Sequence, residues 1–197
     1  MHSALKAVIA IAAGIALGLL LTWATVMRAS QLGDVKDGPW HTSLDVGSNK
    51  GDALLRARVA LHGLFALNRS ETIYYTATRD SDGGPLSGDC SYRITGRDPH
   101  ARWWSITAYG PDDFLIPNKA KRYARSKSGL VRRRDGRFVA AISQRRPKDD
   151  NGKPLANWIA ISAEPFSLVL RLYNPDDDIV ASPARAGLPR ISRWSCP

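Results

Sequence analysis

The sequence predicts a mainly β protein: an antiparallel, jelly-roll-like β-sandwich with one packed amphipathic helix, carried behind an N-terminal transmembrane helix. Three observations predict it. Residues Ala7 to Met27 form a run of 21 residues without a charge. Between Leu54 and Leu67, apolar residues recur at helical spacing. From Thr72 onward, short aromatic and β-branched runs alternate with clusters of Gly, Pro, Asn and Asp.

The uncharged run comes first. As a helix rising about 1.5 Å per residue it spans about 30 Å, the hydrocarbon thickness of a bilayer. It is apolar on every side, unlike a surface helix with one buried stripe. Trp23 lies near its end, where an indole favours the membrane interface. A cleaved signal peptide has a shorter apolar region and a small-residue cleavage site; here Met27 and Arg28 spoil the site beside Ala29 and Ser30. The reading is an uncleaved anchor over 7–27, with a cytoplasmic stub over 1–6.

Residues 28–47, rich in Gly, Ser and Asp, read as a juxtamembrane linker, leaving 48–197 as the β-sandwich domain. In the helical stretch, Leu54, Leu55, Val59, Leu61, Leu64, Phe65 and Leu67 form a stripe opposed by Arg56, Arg58 and His62. Ser48 or Asn49 is the expected cap and Asn68 the stop. The stripe is expected to pack on a sheet. Six or seven strands follow. Asp135-Gly136 suggests a tight hairpin turn in which both central residues have positive φ. In "RWWSITAYG", alternation puts Trp103, Ser105, Thr107 and Tyr109 on one face and Trp104, Ile106 and Ala108 on the other. Each face is headed by an aromatic, so the strand reads as core between a sheet and a helix. "FSLVLRLY" divides similarly, with Phe166, Leu168, Leu170 and Leu172 opposite Val169, Arg171 and Tyr173.

Charge narrows the partners. The chain carries 28 Lys and Arg against 18 Asp and Glu, a formal +10. Residues 1–30 hold only Lys6 and Arg28 of these, so the excess belongs to the domain, and the expected partners are polyanions. Arg132, Arg133, Arg134, Arg137, Arg145, Arg146 and Lys148 cluster about the Asp135-Gly136 turn and are the candidate anion-binding set, with Lys119, Lys121, Arg122, Arg125 and Lys127 nearby. Nucleic acid is disfavoured: no recognisable binding motif is present. Two cysteines, Cys90 and Cys196, are either a disulfide, suited to an oxidising periplasm, or two free thiols.

Catalytic chemistry leaves little trace. Ser105 lacks a nucleophile elbow, and no His or Cys pair has metal-ligand spacing. "DSDGG" from Asp80 reads as a turn, as do the Asp pairs at Asp112-Asp113 and Asp176 to Asp178. No cofactor and no metal is expected.

"RWWSITAYGPDDFLIPN", "RYARSKSGLVRRRDGRFVAAIS", "NWIAIS" and "FSLVLRLYNPDDDIV", in this order, resemble the bacterial domain-of-unknown-function family twelve-fourteen. The resemblance covers about residues 45 to 194. The proline usual after Asn-Trp is replaced: Asn157-Trp158 precedes Ile159 and Ala160. The resemblance implies a jelly-roll-like domain, often envelope-associated and often encoded beside domain twelve fifty-four, and it implies no catalytic residue.

The expectation is a single-pass inner-membrane protein with a periplasmic domain, serving as a non-enzymatic binding or accessory subunit. Its partner would be a neighbouring membrane protein or an anionic lipid or polymer. The alternative is an envelope hydrolase or carbohydrate-acting enzyme whose aromatic pocket is lined by Trp103, Tyr109 and Trp158, using His100 or Asp112. A domain on the cytoplasmic side, against the acidic inner leaflet, is a third reading.

Overall fold

A computed structural model describes residues 2–28, 35–48, 50–61, 67–149 and 151–197. The anchor run folds as one helix, α1 (His2–Arg28). Ser3–Val26 of it is long and apolar enough to cross a membrane, and among the described side chains of that stretch only Val26 is buried.

Among the described residues ten strands build two sheets. They are β1 (Val35–Asp37), β2 (Trp40–Thr42), β3 (Thr72–Ala77), β4 (Ser91–Gly96), β5 (Ala101–Tyr109), β6 (Ala124–Ser126), β7 (Phe138–Ser143), β8 (Trp158–Ala160), β9 (Ser167–Pro175) and β10 (Arg190–Ser195). The larger sheet has the order β1-β2-β3-β9-β5-β6 and the smaller β10-β4-β7-β8. Every strand pair is antiparallel except β7–β8, which is parallel.

The sheets pack through the alternate residues that the strand period assigns to one face. Trp104, Ile106 and Ala108 of β5, Leu168, Leu170 and Leu172 of β9, and Ile73, Tyr75 and Ala77 of β3 meet Tyr92, Ile94, Phe138, Ile142, Ile159 and Ile191 of the smaller sheet in one core. Trp104 is wholly buried, stacked 5.2 Å from Phe138. The opposite face of β5 meets the one-turn helix Lys127–Gly129, whose Ser128 accepts the Trp103 indole. Ser105 and Thr107 are buried there, while Trp103 and Tyr109 stay half-buried, so only one of the two aromatic-headed faces is core.

Three sequence expectations change. The expected linker contains β1 and β2, and Trp40 is fully buried with its indole donating to the Pro189 carbonyl at 2.8 Å. A lone tryptophan among Gly, Ser and Asp has too little periodicity to announce a three-residue strand. The amphipathic helix, α2 (Ala53–Leu61), packs against the end of α1 rather than on a sheet. None of its described residues is fully buried. Its cap is Asp52, whose Oδ1 accepts from the Leu55 amide at 2.7 Å; Ser48 instead donates to the Asp45 carbonyl. Asn49, His62, Leu64, Phe65 and the start of the expected linker lie outside the described residues. The third change is at Asp176 to Asp178, expected as a turn: Asp176 precedes a short helix, α3 (Asp177–Ala181), which seats Ile179 in the core.

The seams between the sheets position the candidate site. At one, the Ala160 amide of β8 donates to the Arg122 carbonyl just before β6, at 2.9 Å. At the other, β10 exchanges hydrogen bonds with Ser81 through Ile191. Its Arg193 also pairs with Asp80, a carboxylate only 3% exposed that accepts the Asp82 and Gly84 amides. The turn read from "DSDGG" is therefore a clamp on the last strand.

Candidate anion site

The β6–β8 seam gathers three arginines from two parts of the chain. Arg125 lies in register with Ile106, so its side chain leaves β6 on the core side of the sheet. At the edge only β8 and its preceding loop stand across from it. There the guanidinium donates from Nη2 to the Ala156 carbonyl at 3.1 Å and from Nη1 to the Ala124 carbonyl at 3.3 Å. Its Nε is buried with no acceptor. Arg146 reaches the adjacent carbonyl of the same loop, Nε to Leu155 at 2.8 Å. Arg122 is held by its backbone, with its amide on Asn118 Oδ1 and its carbonyl on Ala160.

Charge at this corner is unbalanced. Burial first, then the like charges of Arg122 and Arg146, pushes the proton affinity of Arg125 below its ordinary value. Among the described residues none of the three is paired with a carboxylate. Each guanidinium carries a planar fork of donors, and the carbonyl contacts occupy only part of the Arg125 and Arg146 forks. Such a corner can bind a phosphate or carboxylate through several charge-assisted hydrogen bonds.

The seven basic residues singled out by the sequence separate into two groups and one exception. The exception is Arg132. Its Nε and Nη2 hold Asp98 at 2.8 to 3.2 Å, its remaining donors go to the Leu130 and Lys127 carbonyls, and Asp98 also accepts the Trp104 indole. Arg132 is therefore committed to the fold and leaves the anion-binding set. Arg133, Arg134 and Arg137 are exposed at the start of β7. Arg145, Arg146 and Lys148 are exposed beyond its end. The turn itself differs from expectation. The Gly136 amide donates to Arg133 at 3.0 Å, and only Gly136 has positive φ, at 78°. Asp135 keeps an ordinary backbone because the loop is a three-residue one, with glycine at the left-handed position.

The three aromatics do not form one pocket. Trp103 and Tyr109 sit six residues apart along β5, on the outer face of the larger sheet. Trp103 packs edge-on to Tyr173, 5.2 Å between centroids, and donates to Ser128; Tyr109 accepts from Arg171 at 2.9 Å. Trp158 belongs to the other sheet, buried with Ala141 and Ala160 and bonded to Ser143. Its neighbour Asn157 closes the seam, accepting the Val131 amide and donating to the Val131 and Val139 carbonyls. His100 pairs with Asp176 at 3.6 Å on the surface, and Asp112 caps its own turn through the Phe114 amide. These residues do not converge. Among the described residues no three His, Cys, Asp or Glu side chains gather as a metal site. Cys90 and Cys196 form a disulfide that ties the last residues to the start of β4.

From the sequence Arg122 and Arg125 belong to the neighbouring basic cluster rather than to the seven-residue candidate set, because the charge is densest at "RRRDGR". The available signal was the arginine at an alternating core position of a short strand, "YARS", where an apolar residue is expected.

These features define a class: a two-sheet β domain behind an apolar helix, with a basic seam and aromatic strands serving as core. The chain belongs to the family described as protein of unknown function (DUF1214), whose profile matches residues 71–177. That span is narrower than the 45 to 194 over which the motifs resemble the family. No curated protein matches the chain. Among solved structures it is similar to the VPA0106 protein from Vibrio parahaemolyticus, with TM-score 0.61 and 20% identity over 92% of this chain and 44% of that one. A putative uncharacterized protein from Burkholderia cenocepacia is matched at TM-score 0.44 and 18% identity, over 63% of this chain and 29% of that one. The Vibrio likeness shows the fold alone, and this chain spans less than half the length of that protein.

Proposed function

We propose that this protein is a single-pass inner-membrane protein whose β domain lies in the periplasm and acts as a non-enzymatic accessory, binding an anionic envelope component. One observation carries the binding reading: Arg125 and Arg146 donate to the adjacent Ala156 and Leu155 carbonyls with the Arg122 charge close to Arg125, none of the three is paired with a carboxylate among the described residues, and the buried Arg125 Nε lacks an acceptor. Like charges held together at a partly desolvated seam raise the free energy of the domain. A phosphate- or carboxylate-bearing ligand relieves that cost. The disulfide supports an oxidising compartment, and α1 supports the anchor.

The test is calorimetric titration of the full chain, in non-ionic detergent, with a short-chain polyphosphate. The wild type is expected to bind, more weakly as salt rises from 50 to 200 mM, as phosphate contacts require (about a tenfold loss or more). Replacing Arg122 and Arg146 together by Gln is expected to lower affinity at least about tenfold, the equivalent of one charge-assisted bond. Replacing Arg133 and Arg134 by Gln serves as the control of equal charge. Equal affinity in both double variants would reduce the seam to general basicity and defeat the reading.

A further inference from the structure

Among the described residues α2 packs on α1, and its apolar side chains are left only partly covered. Leu54, Leu55, Ala57 and Val59 are only half-buried, Leu61 is 55% exposed and Leu67, beyond the helix, 45%. Leu55, Val59 and Leu67, with Val46 and Ala60, border an open groove of about 590 Å³. That is within the roughly 300–1,000 Å³ of sites that enclose small ligands. A water-facing domain seldom leaves such a groove empty beside an apolar helix.

The position of α2 says what covers it. It packs against α1, and Val26 is the single fully buried residue among the described α1 side chains. Val26 lies within one turn of the end of α1, and Trp23 nearby is 60% exposed. If α1 spans a bilayer, its last turn marks the boundary between hydrocarbon and headgroups, and α2 touches that turn. Lys50 precedes the helix and Arg56 borders the groove together with Asp45; basic residues beside an apolar helix face are the pattern of helices lying in an anionic lipid interface. Apolar side chains, basic residues and depth all agree with one occupant.

We propose that α2 lies in the lipid interface of the leaflet where α1 ends, with the Leu55–Val59–Leu67 groove filled by lipid acyl chain. The domain is thereby held against the bilayer rather than swinging on a tether. The inference rests on the reading of α1 as an anchor, and its test separates the two. The full chain is reconstituted in phosphatidylethanolamine–phosphatidylglycerol vesicles, with a nitroxide placed singly at Leu61→Cys, Ile15→Cys or Asp112→Cys. The native cysteines are bonded to each other and remain unlabelled. Collision with oxygen and with a water-soluble nickel chelate is read by power saturation.

A Leu61 label that meets oxygen several-fold more often than nickel, while the Asp112 label shows the reverse, supports the proposal. An Ile15 label in hydrocarbon with a Leu61 label in water overturns it and leaves the anchor standing. An Ile15 label outside hydrocarbon overturns the anchor and this inference together. Spin–spin broadening at Leu61 that vanishes on dilution with unlabelled protein makes the occupant a second copy, and overturns it too.

Discussion

Replacing Arg132 by Met distinguishes an arginine that holds the fold from those free to meet a ligand. In the native protein Asp98 receives Arg132 Nη2 at 2.8 Å and Nε at 3.1 and 3.2 Å, besides the Trp104 indole at 3.2 Å. The substitution leaves Asp98 with the indole alone and also strips donors from the Leu130 and Lys127 carbonyls. Removing one member of a fully buried pair costs about 3–5 kcal/mol, whereas exposed pairs are worth about 0–1 kcal/mol. This pair lies between the limits, with side chains 28% and 33% exposed. Solvent screening therefore discounts the buried figure to about 2 kcal/mol. For a domain of this size that corresponds to about 4–8 °C in Tm.

The assay is thermal and urea unfolding of the full chain, followed by near-ultraviolet circular dichroism, which reports the packing of Trp104. Arg134→Met, at an exposed loop position, is expected within about 0.5 kcal/mol of wild type. Asp98→Asn and the double variant complete a mutant cycle, with an expected coupling of about 1–2 kcal/mol. An Arg132→Met protein no less stable than Arg134→Met, or a coupling near zero, would refute the assignment of Arg132 to the fold.

Two further outcomes follow from the same structure. Cysteines 106 positions apart close a long loop, so Cys196→Ser is expected to destabilise the domain by up to about 4.7 kcal/mol on the chain-entropy account; reduction should matter equally, and a membrane-impermeant thiol reagent on cells with a permeabilised outer membrane should label the wild type only after a reductant if the domain is periplasmic. Unfolding midpoints unaffected by reduction, or labelling only after lysis, would count against the bridge or the compartment respectively. Tyr75 is the second case: burial, then the Asp37 carboxylate, raises its phenol above the ordinary value, and its hydroxyl donates to the Pro183 carbonyl at 2.8 Å. Because the folded state holds this proton more tightly, its contribution is complete below about pH 10, where the unfolded phenol begins to ionise, and declines above it by about 1.4 kcal/mol per pH unit; alkaline unfolding that is no steeper in wild type than in Tyr75→Phe would contradict that sign.

Much of the architecture was legible because strand alternation is a local property. Leu168, Leu170 and Leu172 against Val169, Arg171 and Tyr173 could be divided by counting in twos, and the division is the one observed. Strands at or near the sheet edges escaped the same count. β1 and β2 are three residues each, and β10 lies in a segment of charged and polar residues, held by Asp80, Asp82 and Cys90. β1 and β2 pair with each other across a tight turn, but what seats them, Trp40 on Pro189 and Asp37 on the Leu188 amide, comes from distant chain, as does the pairing of β10, so their own residues barely announce it.

The β class, the apolar helix, the family and the basic excess were determined by the sequence alone, because each depends on composition or on a period of two or 3.6 within one short window. Tertiary structure decided the destination of each arginine and of α2. Arg132 and Arg133 are neighbours of identical chemistry, yet one is spent on Asp98, 34 positions away, and the other faces water. Arg146 joined Arg122 and Arg125 only when β6 and β8 met across the seam. Contacts between residues far apart in the chain are set by how sheets pack, and no local window contains that information.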